Sequence, residues 1–116
     1  ILLVVEGFKK SEVDITKYSL STKVADSLAT GGNILTYGSA DCGAMEYMKE
    51  INCGPVCYSK GELEQALRKI IFDVEYQKQN YENAKMITGL HHNIHSSTTI
   101  FQNVVQRVVE ENKDVK

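Results

Sequence analysis

Three short apolar runs alternate with helical segments in the first half of the chain, and this alternation restricts the fold more than any other feature. The runs cover residues 1–5, 34–37 and 55–58. Strands that alternate with helices pair in parallel through right-handed crossovers. The first run is apolar throughout, which predicts a strand covered on both faces. The sequence therefore predicts an α/β fold with a short parallel sheet.

A long polar segment separates the first two runs. Residues 6–20 are polar and aperiodic, which predicts a loop, and loops of this length in compact domains are often functional. Ser21 and Thr22 offer N-cap oxygens to a short helix over residues 23–30, and two glycines end it. We expect the loop and the start of this helix to lie beyond the first strand.

Four further helices are predicted from caps and apolar spacing. One of about three turns follows residues 38–41, and Ser59 with Glu62 forms a capping box for the next. Asp73 begins a third, which extends to Gly89, and a last helix follows a polar joint and frays towards the end of the chain. Residues at helical spacing, most of them apolar, mark a stripe along one face of each of the last three helices. These stripes are Leu63, Ala66, Leu67, Ile70 and Ile71; Tyr76, Asn80, Ala84 and Ile87; and Phe101, Val104, Val105, Val108 and Val109.

Composition excludes several classes of protein. The chain has 116 residues, of which 42% are apolar and 24% charged, as expected for one globular domain. Its net charge of −2 provides no electrostatic footprint for nucleic acid. The longest apolar run is far below the roughly 20 residues of a membrane span, and no basic segment precedes it as in a signal peptide. An odd number of cysteines, three, favours a reducing, cytoplasmic compartment.

The cysteines and histidines do not have the spacing of a metal site. Cys42, Cys53 and Cys57 fall at a helix start, in a turn and in a strand, without a C-x-x-C pair. We therefore expect buried free thiols and no bound metal or other cofactor. The histidines lie in a joint between helices, where their spacing defines no catalytic pair: they are His91, His92 and His95.

Two places in the sequence combine a strand end with a helix start, which is where ligands of open parallel sheets bind. One is residues 6–23 and the other is the turn over residues 38–42. At the first, Ser21, Thr22 and Lys23 supply hydroxyls, backbone N–H groups and a cation suited to a phosphate. An ordinary capped helix with solvated charges explains the same pattern and is more frequent. The glycine-rich phosphate motifs G-x-G-x-x-G and G-x-x-x-x-G-K-[ST] are absent.

Residues 21–35, S-T-K-V-A-D-S-L-A-T-G-G-N-I-L, resemble the donor-binding C-terminal half of retaining glycosyltransferases with the GT-B fold. Members commonly read P/S-x-K, an acid, small or apolar residues, Gly, one residue and Pro; Asn33 stands where the proline is usual. Weaker matches follow in order at residues 38–46, 53–56 and 62–68, then in the helix with Asn83-Ala84 and in the closing helix with Phe101. The resemblance covers nearly the whole chain.

The resemblance implies a Rossmann-like three-layer half-domain with about three parallel strands in this chain and extra C-terminal helices. Residues 1–116 would be part of the C-terminal, nucleotide-sugar-binding domain of a larger two-domain transferase. The start at Ile1 instead of Met also favours a piece of a longer protein. We expect this piece to be inactive by itself.

The parent enzyme would transfer a sugar from a nucleotide-diphosphate sugar to an acceptor, in the biosynthesis of polysaccharides and other glycans. The acceptor, a glycan or a lipid-linked glycan, would bind the N-terminal domain that this chain lacks. The parent would be cytoplasmic, with peripheral association at the inner face of a membrane. No bound metal is expected in such a transferase.

The resemblance also implies residue roles at the first helix start. Ser21, Thr22 and Lys23 would hold the donor diphosphate, and Asp26 would bind the ribose in the place of the second acid of the family's E-x7-E motif.

Glu6-Gly7-Phe8 resembles the E-G-F segment that contains the first acid of that motif. This makes Glu6 the candidate catalytic residue, facing the donor sugar, and Gly7 a candidate substrate-binding residue. The spacing departs from the family, because Glu6 precedes Asp26 by 20 residues and Tyr18 stands at the motif position.

Two other functions remain open. A flavodoxin-like binding or regulatory module of the receiver type would need an acidic cluster after the first strand and an aspartate after the third; Glu6 stands alone, and Tyr58-Ser59 follow the third. A non-catalytic helical interaction module would use the apolar stripes at residues 63–71 and 101–109. We expect both of these stripes to pack in the core instead.

Overall fold

A computed structural model describes residues 1–112 of the chain. The three strands form one parallel sheet in the order β1-β2-β3, which confirms the predicted α/β class with a short parallel sheet. The elements in chain order are β1 (Leu2–Val5), α1 (Lys10–Thr16), α2 (Thr22–Thr30), β2 (Ile34–Tyr37), α3 (Gly43–Ile51), β3 (Val56–Cys57), α4 (Lys60–Phe72), α5 (Val74–His91) and α6 (Ile94–Glu111).

One face of the sheet is covered by α2, α3 and α5. Val4 of β1 and Ile34 of β2 are fully buried there against Leu28 of α2 and Met48 of α3. Ala84 of α5 is buried in the same cluster. Burial of each large apolar side chain stabilises the fold by about 1.5–3 kcal/mol, so this cluster is the main core of the described chain.

The opposite face is covered by α4, but only over β2 and β3. Leu35 and Cys57 are buried there against Ile70 of α4. Leu3 lies beside Leu35 in the sheet register, yet it is 57% exposed, and Val5 is 53% exposed. The prediction that the first apolar run is covered on both faces is wrong, because no helix of the described chain buries these two side chains.

The predicted loop between β1 and α2 contains a two-turn helix, α1. The Glu12 carboxylate accepts a hydrogen bond from the backbone N–H of Lys9 at 3.2 Å, and this contact defines where the helix begins. Val13 is the buried residue of α1 and belongs to a small cluster with Cys42. The loop prediction over residues 6–20 is wrong there because a seven-residue helix is shorter than the window in which helical periodicity can be recognised.

The helix starts predicted at Ser59 and Asp73 are confirmed, because each of these side chains accepts a hydrogen bond from the first turn of its helix. Ser59 Oγ accepts from the backbone N–H of Glu62 at 3.3 Å, and the Glu62 carboxylate accepts from the Ser59 N–H at 3.0 Å. Asp73 accepts from the backbone N–H of Tyr76 at 2.9 Å at the start of α5. Gly31 ends α2 in the left-handed region at φ 66°, where a side chain would be strained.

The stripes on α4 and α5 are buried to different extents. On α5 the predicted face packs inwards, with Asn80, Ala84 and Ile87 buried. On α4, Ala66 and Ile70 are buried, whereas Ile71 is 53% exposed. The core prediction is therefore confirmed for most of these two stripes.

α6 projects from the body of the molecule instead of packing in its core. None of its side chains is buried, and Phe101 is 70% exposed. The Cα radius of gyration is 17.7 Å, whereas a compact chain of this length would have about 13 Å. The prediction that the stripe over residues 101–109 is core is therefore wrong. The fraying predicted from Glu110 onwards is wrong at residues 110 and 111, because the helix is regular to Glu111; its predicted continuation over residues 113–116 lies outside the described residues.

Candidate functional site

The carboxyl ends of the three strands meet at one edge of the sheet, where two shallow depressions lie side by side. One, of about 400 Å³, is lined by α1 and by the turn after β2. The other, of about 390 Å³, is lined by the residues after α1, by α3 and by Tyr58 after β3. Lys17 and Asp41 line both. Parallel sheets bind ligands at this edge, so we take it as the candidate site.

The depressions carry balanced charge. Three lysines and three acids line them, and each of these side chains belongs to an exposed residue. Equal numbers of exposed cations and anions give no strong preference for an anionic ligand, and water screens them. The residues are Lys10, Lys17 and Lys49 with Asp14, Asp41 and Glu46.

The residues predicted to hold the diphosphate lie at the N-terminus of α2. Ser21 occupies the N-cap position with an extended backbone, but its side chain makes no capping hydrogen bond. The backbone N–H of Val24 donates to Ser21 O at 2.9 Å, whereas those of Thr22 and Lys23 have no partner among residues 1–112. Unpaired N–H groups at a helix start are an arrangement that binds anions. Lys23 and Asp26 are both exposed.

Glu6 and Gly7 lie at the same edge but contact different elements. The backbone N–H of Glu6 donates to Tyr37 O at 2.9 Å and so continues the β1–β2 ladder. A Cβ added at Gly38 would come within 2.7 Å of the Glu6 Cβ, so β2 approaches Glu6 closely. The Cys42 thiol donates to Gly7 O at 3.7 Å. These contacts hold Glu6 and Gly7 against β2 and α3, and no hydrogen bond within the described chain joins them to the predicted α2 residues.

The three cysteines are distributed over three separate core clusters. Cys53 lies in the cluster beneath α2, α3 and α5, Cys57 lies beneath α4, and Cys42 lies beside Val13. All three are free and buried, as expected. Burial raises the pKa of the Cys53 thiol to about 11. Burial also raises the pKa of the Cys57 thiol, and the nearby Glu62 carboxylate raises it further. Among residues 1–112 no group of three or more histidine, cysteine or acidic side chains could hold a metal ion.

The sequence identified only part of this edge. The turn over residues 38–42 was a predicted ligand position, and its Ser39 and Asp41 line the depressions. Lys10, Asp14 and Lys17 lie within the other predicted ligand position, residues 6–23, but the loop prediction for this segment does not single them out. Their spacing of four and three residues, which places side chains on one helix face, is the signal that could have identified them.

This geometry defines an α/β protein with helices on both faces of a three-stranded parallel sheet and an open edge at the strand ends. Comparison with protein-family models, with curated proteins and with solved structures gives no match. None of the helices in the described part of the chain has the length and apolar character needed to cross a membrane.

Proposed function

We propose that the chain is a Rossmann-like half-domain that binds the donor of a GT-B-type glycosyltransferase, and that the start of α2 holds the diphosphate of a nucleotide-sugar. The observation that carries the proposal is the uncapped N-terminus of α2, where Ser21 leaves the N–H groups of Thr22 and Lys23 free for an anion. The positive end of the helix dipole and the exposed ammonium of Lys23 add attraction for negative charge. The resemblance of residues 21–35 to the donor-binding segment supports the same position.

The chemistry follows from where charge develops during sugar transfer. As the bond between the anomeric carbon and the diphosphate oxygen breaks, negative charge grows on the departing nucleoside diphosphate. Oriented N–H groups and the Lys23 ammonium stabilise that charge without reorganising. Asp26, one turn further along α2, accepts hydrogen bonds from the ribose hydroxyls, and Glu6 at the end of β1 is the candidate for contact with the donor sugar. The acceptor, a glycan or a lipid-linked glycan, binds a domain outside this chain.

A second candidate function is a protein-interaction module. It is favoured by α6, an 18-residue helix with an apolar stripe and no buried side chain. This alternative makes no use of the α2 N-terminus, so nucleotide binding separates the two functions.

Ligand-observed NMR tests the donor site directly. The whole chain is titrated with UDP, GDP and their hexose conjugates, and saturation transfer to nucleotide protons is measured. We expect transfer in the unmodified chain, its loss in Lys23→Ala, and a weaker ribose signal in Asp26→Ala. Lys85→Ala removes an exposed lysine of α5 and is the matched control that should retain binding.

Three outcomes contradict the proposal. The first is no transfer from any of these nucleotides at millimolar concentration. The second is unchanged binding in both Lys23→Ala and Asp26→Ala. The third is loss of binding in Lys17→Ala together with unchanged binding in Lys23→Ala, which would place the ligand in the depressions beside α1.

A further inference from the structure

Residues 7–20, which connect β1 to α2 through α1, lie over the carboxyl edge of the sheet with few contacts to hold them there. Val13 is the one buried residue of this segment, Gly7 and Thr16 are half-buried, and every other residue in it is exposed. We propose that residues 7–20 form a lid that detaches from the carboxyl edge while the sheet and the other helices stay folded.

The lid shares no backbone hydrogen bond with the rest of residues 1–112. The N–H of Glu6, just before the lid, makes the last such bond of β1, to Tyr37 O at 2.9 Å. Inside the lid the backbone bonds are local, as in the bond from the Lys17 N–H to Val13 O at 2.8 Å. Detachment of the lid therefore leaves no backbone group of the sheet without its partner.

The side-chain hydrogen bonds between the lid and the rest of the described chain meet at one atom, Sγ of Cys42. Thr16 Oγ1 donates to this sulfur at 3.3 Å, and the thiol donates to Gly7 O at 3.7 Å. Sulfur is a weak donor and a weak acceptor, so both bonds break at little cost. Cys42 is fully buried, and both partners of its thiol belong to the lid. Detachment therefore exposes the Cys42 thiol.

Apolar packing of the lid depends mainly on two side chains. Val13 packs against Cys42 and Met45, and the ring of Phe8 lies 4.9 Å from that of Tyr37. The seven-residue helix α1 is marginal in water without tertiary contacts, whereas each of α2, α3, α4 and α5 buries at least two residues. Segments with few buried apolar contacts open at low free energy, and the moving parts of binding sites are drawn from them.

The lid continues directly into the start of α2, so its position affects the proposed diphosphate site. Val24 is the first buried residue after the lid, and Ser21, Thr22 and Lys23 lie between the two. With the lid closed, both ends of this stretch are held and its N–H groups keep one orientation. With the lid detached, only the Val24 end is held. This consequence depends on the proposed function: a nucleoside diphosphate binds the closed lid more tightly and thereby keeps it closed.

Alkylation of the native thiols by N-ethylmaleimide measures detachment in the whole, unmodified chain. Peptide mass spectrometry gives a separate rate for each of the three cysteines, and each rate is divided by that of the same thiol in the urea-unfolded chain. We expect Cys42 to react at least about tenfold faster than Cys53 and Cys57, which lie beneath other helices. Its rate should change little in dilute urea, because detachment exposes little surface. Equal rates with the same urea dependence would show that only global unfolding exposes Cys42, and would overturn the lid.

A substitution outside the lid tests whether the lid opens independently. Ser59→Ala removes the cap of α4 and lowers global stability without changing a lid contact. We expect faster alkylation of Cys53 and Cys57 and an unchanged rate at Cys42, because α4 stays folded when the lid detaches. Equal acceleration of all three thiols would contradict the proposal.

A substitution in the lid tests the contact that closes it. Val13→Ala removes two buried carbon atoms and should raise the Cys42 rate about tenfold. Ile15→Ala is the matched control, since Ile15 lies on the same helix but is 80% exposed. Equal Cys42 rates in the two variants would show that Val13 does not hold the lid.

The start of α3 offers an independent test from the other side of the contact. A Cβ added at Gly43 would lie 3.0 Å from the carbonyl oxygens of Lys17 and Ser19, so Gly43→Ala pushes the end of the lid away from α3. Gly61→Ala changes the first turn of α4, where a Cβ meets nothing within 4 Å, and is the matched control. We expect a faster reaction of Cys42 in Gly43→Ala only. Equal Cys42 rates in the two variants would show that the lid is not closed against α3.

UDP and GDP test the coupling between the lid and the start of α2. We expect either nucleotide, if bound, to slow the alkylation of Cys42 as its concentration exceeds Kd, and to have no such effect in Lys23→Ala. Nucleotide binding detected by NMR with an unchanged Cys42 rate would contradict the coupling and leave the donor site intact. Absence of binding together with fast alkylation of Cys42 would contradict the donor site and leave the lid intact.

Discussion

The hydroxyl of Tyr47 lies 2.7 Å from Nε2 of His92, and this hydrogen bond joins α3 to the end of α5. The two rings meet edge-on, with centroids 5.8 Å apart. Burial raises the pKa of Tyr47, and the nearby Cys53 and Glu50 raise it further, so the phenol keeps its proton. Burial, with a smaller effect of His91, lowers the pKa of His92, which favours the neutral imidazole. The bond therefore joins two neutral groups, with the tautomer of the imidazole setting which of them donates, at the position from which α6 leaves the body of the molecule.

Tyr47→Phe should lower the free energy of unfolding by about 1 kcal/mol, because it deletes this hydrogen bond and leaves the ring packing in place. Urea denaturation monitored by circular dichroism measures the change. Tyr18→Phe is the matched control, since Tyr18 is 91% exposed and its hydroxyl is solvated in both states. Equal effects of the two substitutions would show that the Tyr47–His92 bond contributes nothing.

Stability should fall as the pH drops below about 6.5, the ordinary pKa of histidine. The pKa of His92 is lowered in the folded chain, so the unfolded chain binds more protons in this range and stability increases with pH. The contribution is fully present above about pH 6.5 and is lost as pH falls through the lowered pKa of His92. Urea denaturation at several pH values, with His92→Gln as control, measures it; an identical pH dependence in His92→Gln would refute the assignment.

Gly54 and Gly89 should respond in opposite directions to alanine. A side chain at Gly54 would collide with the carbonyl oxygen of Ile34, and its φ of 156° is unfavourable for other residues. Gly54→Ala should therefore cost at least about 2 kcal/mol. Gly89 is exposed in α5 with open space around it, so Gly89→Ala should add about 0.5–1 kcal/mol through helix propensity. Thermal unfolding of both variants measures the difference in stability. A loss of stability in Gly89→Ala would contradict the finding that a side chain at this position meets open space.

The two serine caps should differ in strength. Ser59→Ala removes a side-chain bond to Glu62 and should cost about 1 kcal/mol. Ser21 makes no such bond, so Ser21→Ala should cost only a few tenths of a kcal/mol. Urea denaturation of both variants measures the difference. A larger loss for Ser21→Ala would show that Ser21 caps α2 in solution, and would remove the free N–H groups on which the donor site depends.

Local patterns predicted most of the elements correctly. The capping box of Ser59 and Glu62, the left-handed Gly31 and the start of α5 at Asp73 depend on residues within four positions of one another. The inward face of α5 was predictable for the same reason, because the 3.6-residue period is present in the sequence. The helix α1 was not predictable in this way, since a single buried residue, Val13, cannot show a helical period.

The sequence predicted the helix start on which the proposed donor site depends, but not the contacts around Glu6 and Gly7. The α2 start with Ser21, Thr22 and Lys23 lies where the sequence placed it, after β1 and before β2. The approach of Glu6 and Gly7 to Gly38 and Cys42 depends on contacts between residues more than 30 positions apart. Such contacts depend on chain packing, which no short motif encodes.

The sequence alone determined the alternation of strands and helices, the side-chain caps of α4 and α5 and the apolar side of each long helix. Only the tertiary structure decided which apolar sides are buried. The stripes of α4 and α6 have the same spacing, yet α4 covers Leu35 while α6 leaves Val105 in solvent. Hydrophobic burial is non-directional and depends on the surface that lies opposite. An amphipathic pattern therefore marks a face that favours a partner, and the fold determines whether the same chain supplies it.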